Sequence, residues 1–174
     1  MPRLFFALWP DPAVRVRLAG HCDPVIKDYR GRPTQPDTLH MTLAFLGDIP
    51  ELRVPLALGC GDRVKEAPFT LNIDARAHFA RARVAWLGCA HPPAALHGLA
   101  NALRRELGGT HFTIGHGDSP FKPHITIARD CRAFPPPKDI PAIEWRVESF
   151  VLVNSTPVPG GVVYRVLKQW PLHR

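Results

Sequence analysis

Apolar and polar positions alternate along several stretches of the chain with the two-residue rhythm of a half-buried strand. Elsewhere they recur at helical spacing. Residues 3–10, RLFFALWP, open with β-favouring apolar side chains and stop at a proline, which predicts a first strand. Asp11 and Pro12 then read as a helix N-cap and first helical position, with Val14, Leu18 and Val25 as the apolar face. Pro33, Pro36 and Asp37 mark a loop before the strong strand LHMTLAFLGD. Leu52, Leu56 and Val64 give residues 50–67 a helical spacing, although Pro55 and Gly59 interrupt it. FTLNIDARAHF and RVAWLG read as a strand pair. The clearest helix is 94–107, where Leu96, Leu99, Leu103 and Leu107 share a face and Gly108-Gly109 end it. HFTI and PHITIAR follow, then a Pro-rich connector at 134–141. Two final strands, WRVESFVLVNST and VVYRVLKQW, are joined by residues 157–161. Strands and helices mix without regular crossovers, which predicts an α+β fold with mainly antiparallel sheets rather than a doubly wound parallel one.

One short pattern occurs twice. His40-Met41-Thr42-Leu43 and His124-Ile125-Thr126-Ile127 both read His-apolar-Thr-apolar, and they lie 84 residues apart, about half the chain. Such spacing suggests one copy in each half of a duplicated architecture. Side chains on a strand alternate between faces, so His40 and Thr42 share one face while Met41 and Leu43 share the other. The same holds for His124 and Thr126. The apolar members can enter a core while two imidazoles and two hydroxyls, on strands facing across a groove, meet one ligand.

That set suits phosphodiester hydrolysis. Attack by water needs a base on one side of phosphorus and an acid on the other, and imidazole titrates near enough to neutrality to serve as either. Threonine hydroxyls can donate to the non-bridging oxygens, and Arg129 or Lys122 can add positive charge.

Composition narrows the alternatives. With 22 Lys+Arg against 15 Asp+Glu the chain carries +7 and a pI near 9.7, which favours anionic partners. Cys22, Cys60, Cys89 and Cys131 form no C-x-x-C pair, so zinc-ribbon and thioredoxin readings lose their signature. Neither motif offers an H-x-H or H-E-x-x-H spacing, and no metal or other cofactor is expected. No Gly-rich phosphate loop and no G-x-S-x-G is present, which removes ATP-dependent and serine-hydrolase chemistry. The opening apolar run is too short for a signal peptide, and no stretch approaches the roughly 20 apolar residues that span a bilayer. A cytoplasmic monomer with reduced cysteines is the expectation. Of the remaining histidines, His116 in Gly115-His116-Gly117 is a weak site candidate.

These residues resemble the two-histidine phosphoesterase superfamily, in particular its RNA 2',3'-cyclic phosphodiesterase (2'-5' RNA ligase) branch. RLFFALWP is similar to the family's opening strand, LHMTLAFLGD and FKPHITIAR to its two signature motifs, and ARVAWLG to its central strand. SFVLVNSTPVPGGVVYRVLKQWPL is similar to its C-terminal hairpin. The resemblance implies a single bilobal domain over 1–174, with pseudo-twofold symmetry, a central groove and helices outside. It implies metal-independent hydrolysis of RNA 2',3'-cyclic phosphate ends to 2'-phosphomonoesters. His40 carries over as proton donor, His124 as proton acceptor, and Thr42 and Thr126 as phosphate binders. Some members run the reaction backwards as ATP-independent 2'-5' ligation. The chain departs from the pattern at Pro33-Thr34-Gln35, where the family often has an aromatic or basic residue, and at Ala44, where lysine is frequent. Phe45, Phe79, Trp86 and Phe121 are candidates for base stacking. Two rival readings stand beside this one: a non-catalytic nucleotide- or RNA-binding module, and the same chemistry on a small cyclic nucleotide.

Overall fold

The computed structural model describes residues 1–110, 112, 115 and 120–173, the side chains at 25 and 26 excepted. Of the predicted HFTI strand only Phe112 is among the described residues, buried and in no strand, and His116 lies outside them. In order, the described residues form β1 (Arg3–Leu8), α1 (Pro12–Ala19), α2 (Cys22–Tyr29), β2 (Arg32–Pro33), β3 (Met41–Asp48), α3 (Val54–Arg63), β4 (Phe69–Phe79) and β5 (Val84–Gly88). Then come α4 (Ala94–Gly108), β6 (Ile125–Arg129), β7 (Lys138–Val147), β8 (Ser149–Val158) and β9 (Gly161–Pro171). No described helix is long and apolar enough to cross a membrane.

The strands make one sheet in the order β7-β4-β5-β6-β3-β1-β8-β9, with the short β2 also on β6. Every pairing is antiparallel. The two motif strands are therefore neighbours at its middle, joined through the single bridge Met41↔Ile125. Outward from that seam each half-sheet has four strands, the motif strand first. The helices cross over the seam: α1 packs on β7 and α2 on β6, while α4 packs on β3. On β1, Leu4, Phe6 and Leu8 enter the main core, and Phe5 and Ala7 pack with Val151 and Val153 on the other face. Coverage on both sides explains why that strand reads as a solid apolar run rather than an alternation.

Several elements differ from the sequence expectation for identifiable reasons. The helix predicted from Asp11 is two helices. Asp11 caps the first by accepting from the Val14 N–H at 2.9 Å, and Pro24 then cannot donate to the Gly20 carbonyl, which breaks the ladder there. Val14 and Leu18 are buried as expected. Leu52 and Leu56 do not form the buried face of α3, for they are 94% and 40% exposed. The helix instead buries Ala57, Cys60 and Gly61, and the Trp170 indole lies on Gly61 where a Cβ would sit 2.5 Å away. The Pro-rich connector is shorter than predicted because β7 already begins at Lys138 and holds Pro141. Proline is tolerated there since β7 is an edge strand, and its missing donor falls where the β4 register shifts. WRVESFVLVNST is not one strand: at Glu148 the chain leaves β4 and crosses to β1, so 138–147 and 149–158 belong to opposite halves.

Candidate active site

The seam places the two motifs together. Antiparallel pairing through Met41↔Ile125 puts His40 beside Thr126 and Thr42 beside His124, all four on one face. The arrangement is a two-by-two array in which each histidine neighbours the other motif's threonine. Met41, Leu43, Ile125 and Ile127 point the other way and are buried. The strands do not face each other across open space; they are adjacent, and the groove lies over the array.

Both imidazoles are held in the same manner. His40 Nδ1 lies 2.6 Å from the Thr38 carbonyl, and His124 Nδ1 lies 2.7 Å from the Lys122 carbonyl. A carbonyl only accepts, so each Nδ1 carries the proton and donates it, and in the neutral ring Nε2 is the nitrogen without a proton. The carbonyl two residues upstream, presented by the turns at Pro36–Thr38 and before β6, thus fixes tautomer and ring plane together.

The surroundings of the two rings differ. His40 sits among three aromatics: Phe5 at 4.9 Å between centroids, Trp9 stacked at 5.7 Å, and Tyr164 edge-on at 5.3 Å. Burial, together with the charges of Arg129, His124 and Arg15, lowers its pKa to about 4 against the opposing pull of the Thr38 carbonyl. In this setting His40 is neutral at pH 7. His124 meets Phe79 edge-on at 4.9 Å and Trp86 at 6.4 Å.

Arg15, unremarked in the sequence, organises the His40 side. From α1 its guanidinium donates to the carbonyls of Pro36 at 2.7 Å, Pro10 at 3.1 Å and Leu39 at 3.4 Å, and it lies 5.4 Å from the Trp9 ring centre. It thereby ties the turn that presents Thr38 to the segment that presents Trp9. One arginine at helical position 15 carries no motif, so only the folded contacts reveal it.

Two cavities flank the array. One, of about 270 Å³, is lined by Thr42, His124, Ala44, Phe45, Phe79, Phe121, Lys122 and Arg104 among others. The other, of about 710 Å³, is lined by His40, Thr126, Arg129, Arg32, the Pro33-Thr34-Gln35 stretch, Tyr164 and the β8–β9 turn. The structure thus brings Arg129 to the His40 side and Lys122, Phe45 and Phe121 to the His124 side. Trp86, paired with Thr126 in the sheet, flanks His124. Among the described residues no group of three or more His, Cys, Asp or Glu side chains is placed to hold a metal ion, and the four cysteines are unpaired thiols.

Comparison with known proteins agrees with this geometry. A family profile, the 2'-5' RNA ligase superfamily, matches residues 10–157. The RNA 2',3'-cyclic phosphodiesterase of Escherichia coli is 37% identical over 98% of this chain and 96% of its own. The enzyme of the same name from Thermus thermophilus is 36% identical over 98% of this chain and 90% of its own. Among solved structures, E. coli LigT complexed with 3'-AMP superposes with a TM-score of 0.89 at 33% identity, covering 100% of both chains. TT0787 of T. thermophilus gives 0.86 at 35% identity over 98% of this chain and 97% of that one. A matched profile over most of the length and relatives above 30% identity across nearly all of it place the chain in the 2'-5' RNA ligase superfamily of two-histidine phosphoesterases.

Proposed function

We propose that this chain is an RNA 2',3'-cyclic phosphodiesterase that opens the cyclic phosphate to a 2'-phosphomonoester by proton transfer between two histidines, without a metal. The observation that carries the reading is the crossed His/Thr array: two Nε2 atoms and two hydroxyls on one face, with each tautomer fixed by a backbone carbonyl. Thr42 and Thr126 donate to the non-bridging oxygens, and Arg129 adds charge from the His40 side. His124 takes the proton of the attacking water, and His40 protonates the 3' oxygen as it leaves. With a 5'-hydroxyl in place of water, the same pair joins it to the cyclic end through a 2'-5' bond, the 3' oxygen leaving as before.

The depressed pKa of His40 sets a condition on this assignment. A neutral imidazole is no acid, so His40 acquires its proton when the phosphate monoanion arrives beside it and favours the charged form. The whole chain acts as one bilobal unit, since helices from each half pack on strands of the other. We place it in the cytoplasm as a monomer acting on RNA ends.

The test is incubation with a panel of RNA ends and nucleosides bearing 2',3'-cyclic phosphates in excess chelator, with the product phosphate located by ³¹P NMR. Formation of 2'-phosphate supports the proposal. A 3'-phosphate product reverses the leaving group, and absence of turnover across the panel favours a binding module instead.

A further inference from the structure

The aromatic side chains expected to stack on a base all lie on one side of the array. Phe79 and Trp86 flank His124, and Phe45 and Phe121 line the smaller cavity beside it. In-line displacement keeps the attacking and departing oxygens on opposite sides of phosphorus. With His124 serving the water and His40 the 3' oxygen, the ribose lies on the His40 side, and its base lies there with it. The space on that side is the cavity of about 710 Å³, within the range that encloses a small-molecule ligand.

The two walls of that cavity differ in chemistry. One, built from β2 and β6, is polar and basic: Thr126, Arg129, and Arg32 paired with Asp130 at 3.0 Å. The other is the β8–β9 ribbon, whose pairs from Thr156↔Val163 to Val158↔Gly161 run past the last β1–β8 pair, Arg3↔Ser155. This overhang brings Val158 and Val162 to the cavity, where they stay 39% and 36% exposed. Val162 and Tyr164 share one face of β9, because side chains two apart on a strand point the same way. Tyr164 stands edge-on to His40 at 5.3 Å, so that face starts at the imidazole and continues outward along the strand. Val163, between the two, points to the opposite face and is 54% exposed. A nucleotide divides as the walls do, into a base with apolar faces and anionic phosphates.

We propose that the inner face of the β8–β9 ribbon, Tyr164 with Val162 and with Val158 at the rim, is the platform for the base of the nucleoside that carries the cyclic phosphate. The inference rests on the proposed phosphodiesterase reading, with His40 serving the 3' oxygen, and adds a base subsite to it. The aromatic residues around His124 are then not that subsite, since they stand on the side of the attacking oxygen. Contact with a base face is tolerant of sequence, because every base has one, so the platform rewards the presence of a base more than its identity.

The experiment compares adenosine 2',3'-cyclic phosphate with methyl riboside 2',3'-cyclic phosphate, which has the same reacting group and no base. Wild type should show kcat/KM about ten- to a hundredfold higher for the nucleoside. Val162→Asp should bring that ratio to within a few fold of one, chiefly through KM, and the ratio cancels any loss of activity common to both substrates. Val163→Asp adds the same charge to the opposite face and should keep the wild-type ratio. A wild type indifferent to the base would overturn the proposal without any variant. So would a wild-type ratio in Val162→Asp, an equal fall in both variants, or a fall in Phe121→Ala alone, which would put the base beside His124. If wild type opens neither cyclic phosphate, the phosphodiesterase reading fails by itself. Calorimetric binding of adenosine 2'-phosphate and methyl riboside 2'-phosphate then still decides the platform: a preference for the nucleoside that Val162→Asp loses upholds it, and equal affinities in wild type overturn it.

Discussion

Sulfate, an anion that does not titrate near neutrality, isolates what substrate charge does to His40. Burial and the neighbouring charges hold that imidazole at a pKa of about 4. Returning it from about 4 to the ordinary value near 6.5 takes roughly 3.4 kcal/mol, at 1.36 kcal/mol per pH unit. One negative charge about 4 Å away supplies about 4 kcal/mol in the partly shielded setting of a surface groove. The two magnitudes match, so a single bound anion suffices to make His40 an acid near neutral pH. By linkage the anion binds together with one proton, and its affinity falls by about 80-fold as pH rises from 4 to 6.5. The assay is ¹⁵N NMR of ring-labelled histidine across this range, with and without saturating sulfate. His40 should titrate near 4 alone and at 6.5 or above with sulfate. A resonance that stays near 4 with the site filled would refute the argument and make His40 the base.

Other outcomes follow from the same contacts. His40 is kept neutral in the folded chain while the unfolded chain protonates it below about 6.5, so its contribution to stability is present above that pH and lost as pH falls toward 4. Urea titrations of wild type and His40→Gln should therefore diverge by about 3 kcal/mol between pH 7 and pH 4. His21, whose pKa burial and Arg76 also lower, is common to both proteins and cancels. Thr42→Val and Thr126→Val should each cost about 1.5–3 kcal/mol of transition-state stabilisation in kcat/KM. Double-mutant cycles should couple His40 to Thr126 more strongly than to Thr42, because the seam makes the former pair neighbours; equal coupling would contradict the register. Arg15→Met should lower kcat about ten- to a hundredfold with little change in KM and shift the pH profile, by releasing the turn that holds His40. Gly61→Ala should destabilise the fold by about 1–3 kcal/mol in thermal or urea melts, since its Cβ would meet the Trp170 indole.

Much of the site was legible in the chain itself. Alternation places His40 with Thr42 and His124 with Thr126 on one strand face, and the same alternation buries their apolar partners. Alternation is silent about which strand lies beside which, and so the crossed pairing of each histidine with the other threonine comes only from the seam. The same blindness merges 145–156 into one strand, because the crossing at Glu148 changes the neighbour without changing the rhythm. Leu52 and Leu56 mislead because helical spacing does not say whether a face meets a core, and α3 buries its small residues under Trp170 instead. Arg15, Trp9 and Tyr164 carry no local pattern; each matters through contacts made only once the chain is folded.

The most direct test of the account is the rate at which wild type, His40→Ala, His124→Ala and the double variant open one nucleoside 2',3'-cyclic phosphate in excess chelator. Each single variant should remain folded by circular dichroism and lose about two to four orders of magnitude. The double variant should be scarcely slower than the poorer single one, because an acid and base acting on one transition state fail as a unit. A near wild-type rate in either folded single variant, or loss of wild-type activity on chelation that a divalent ion restores, would contradict the two-histidine mechanism.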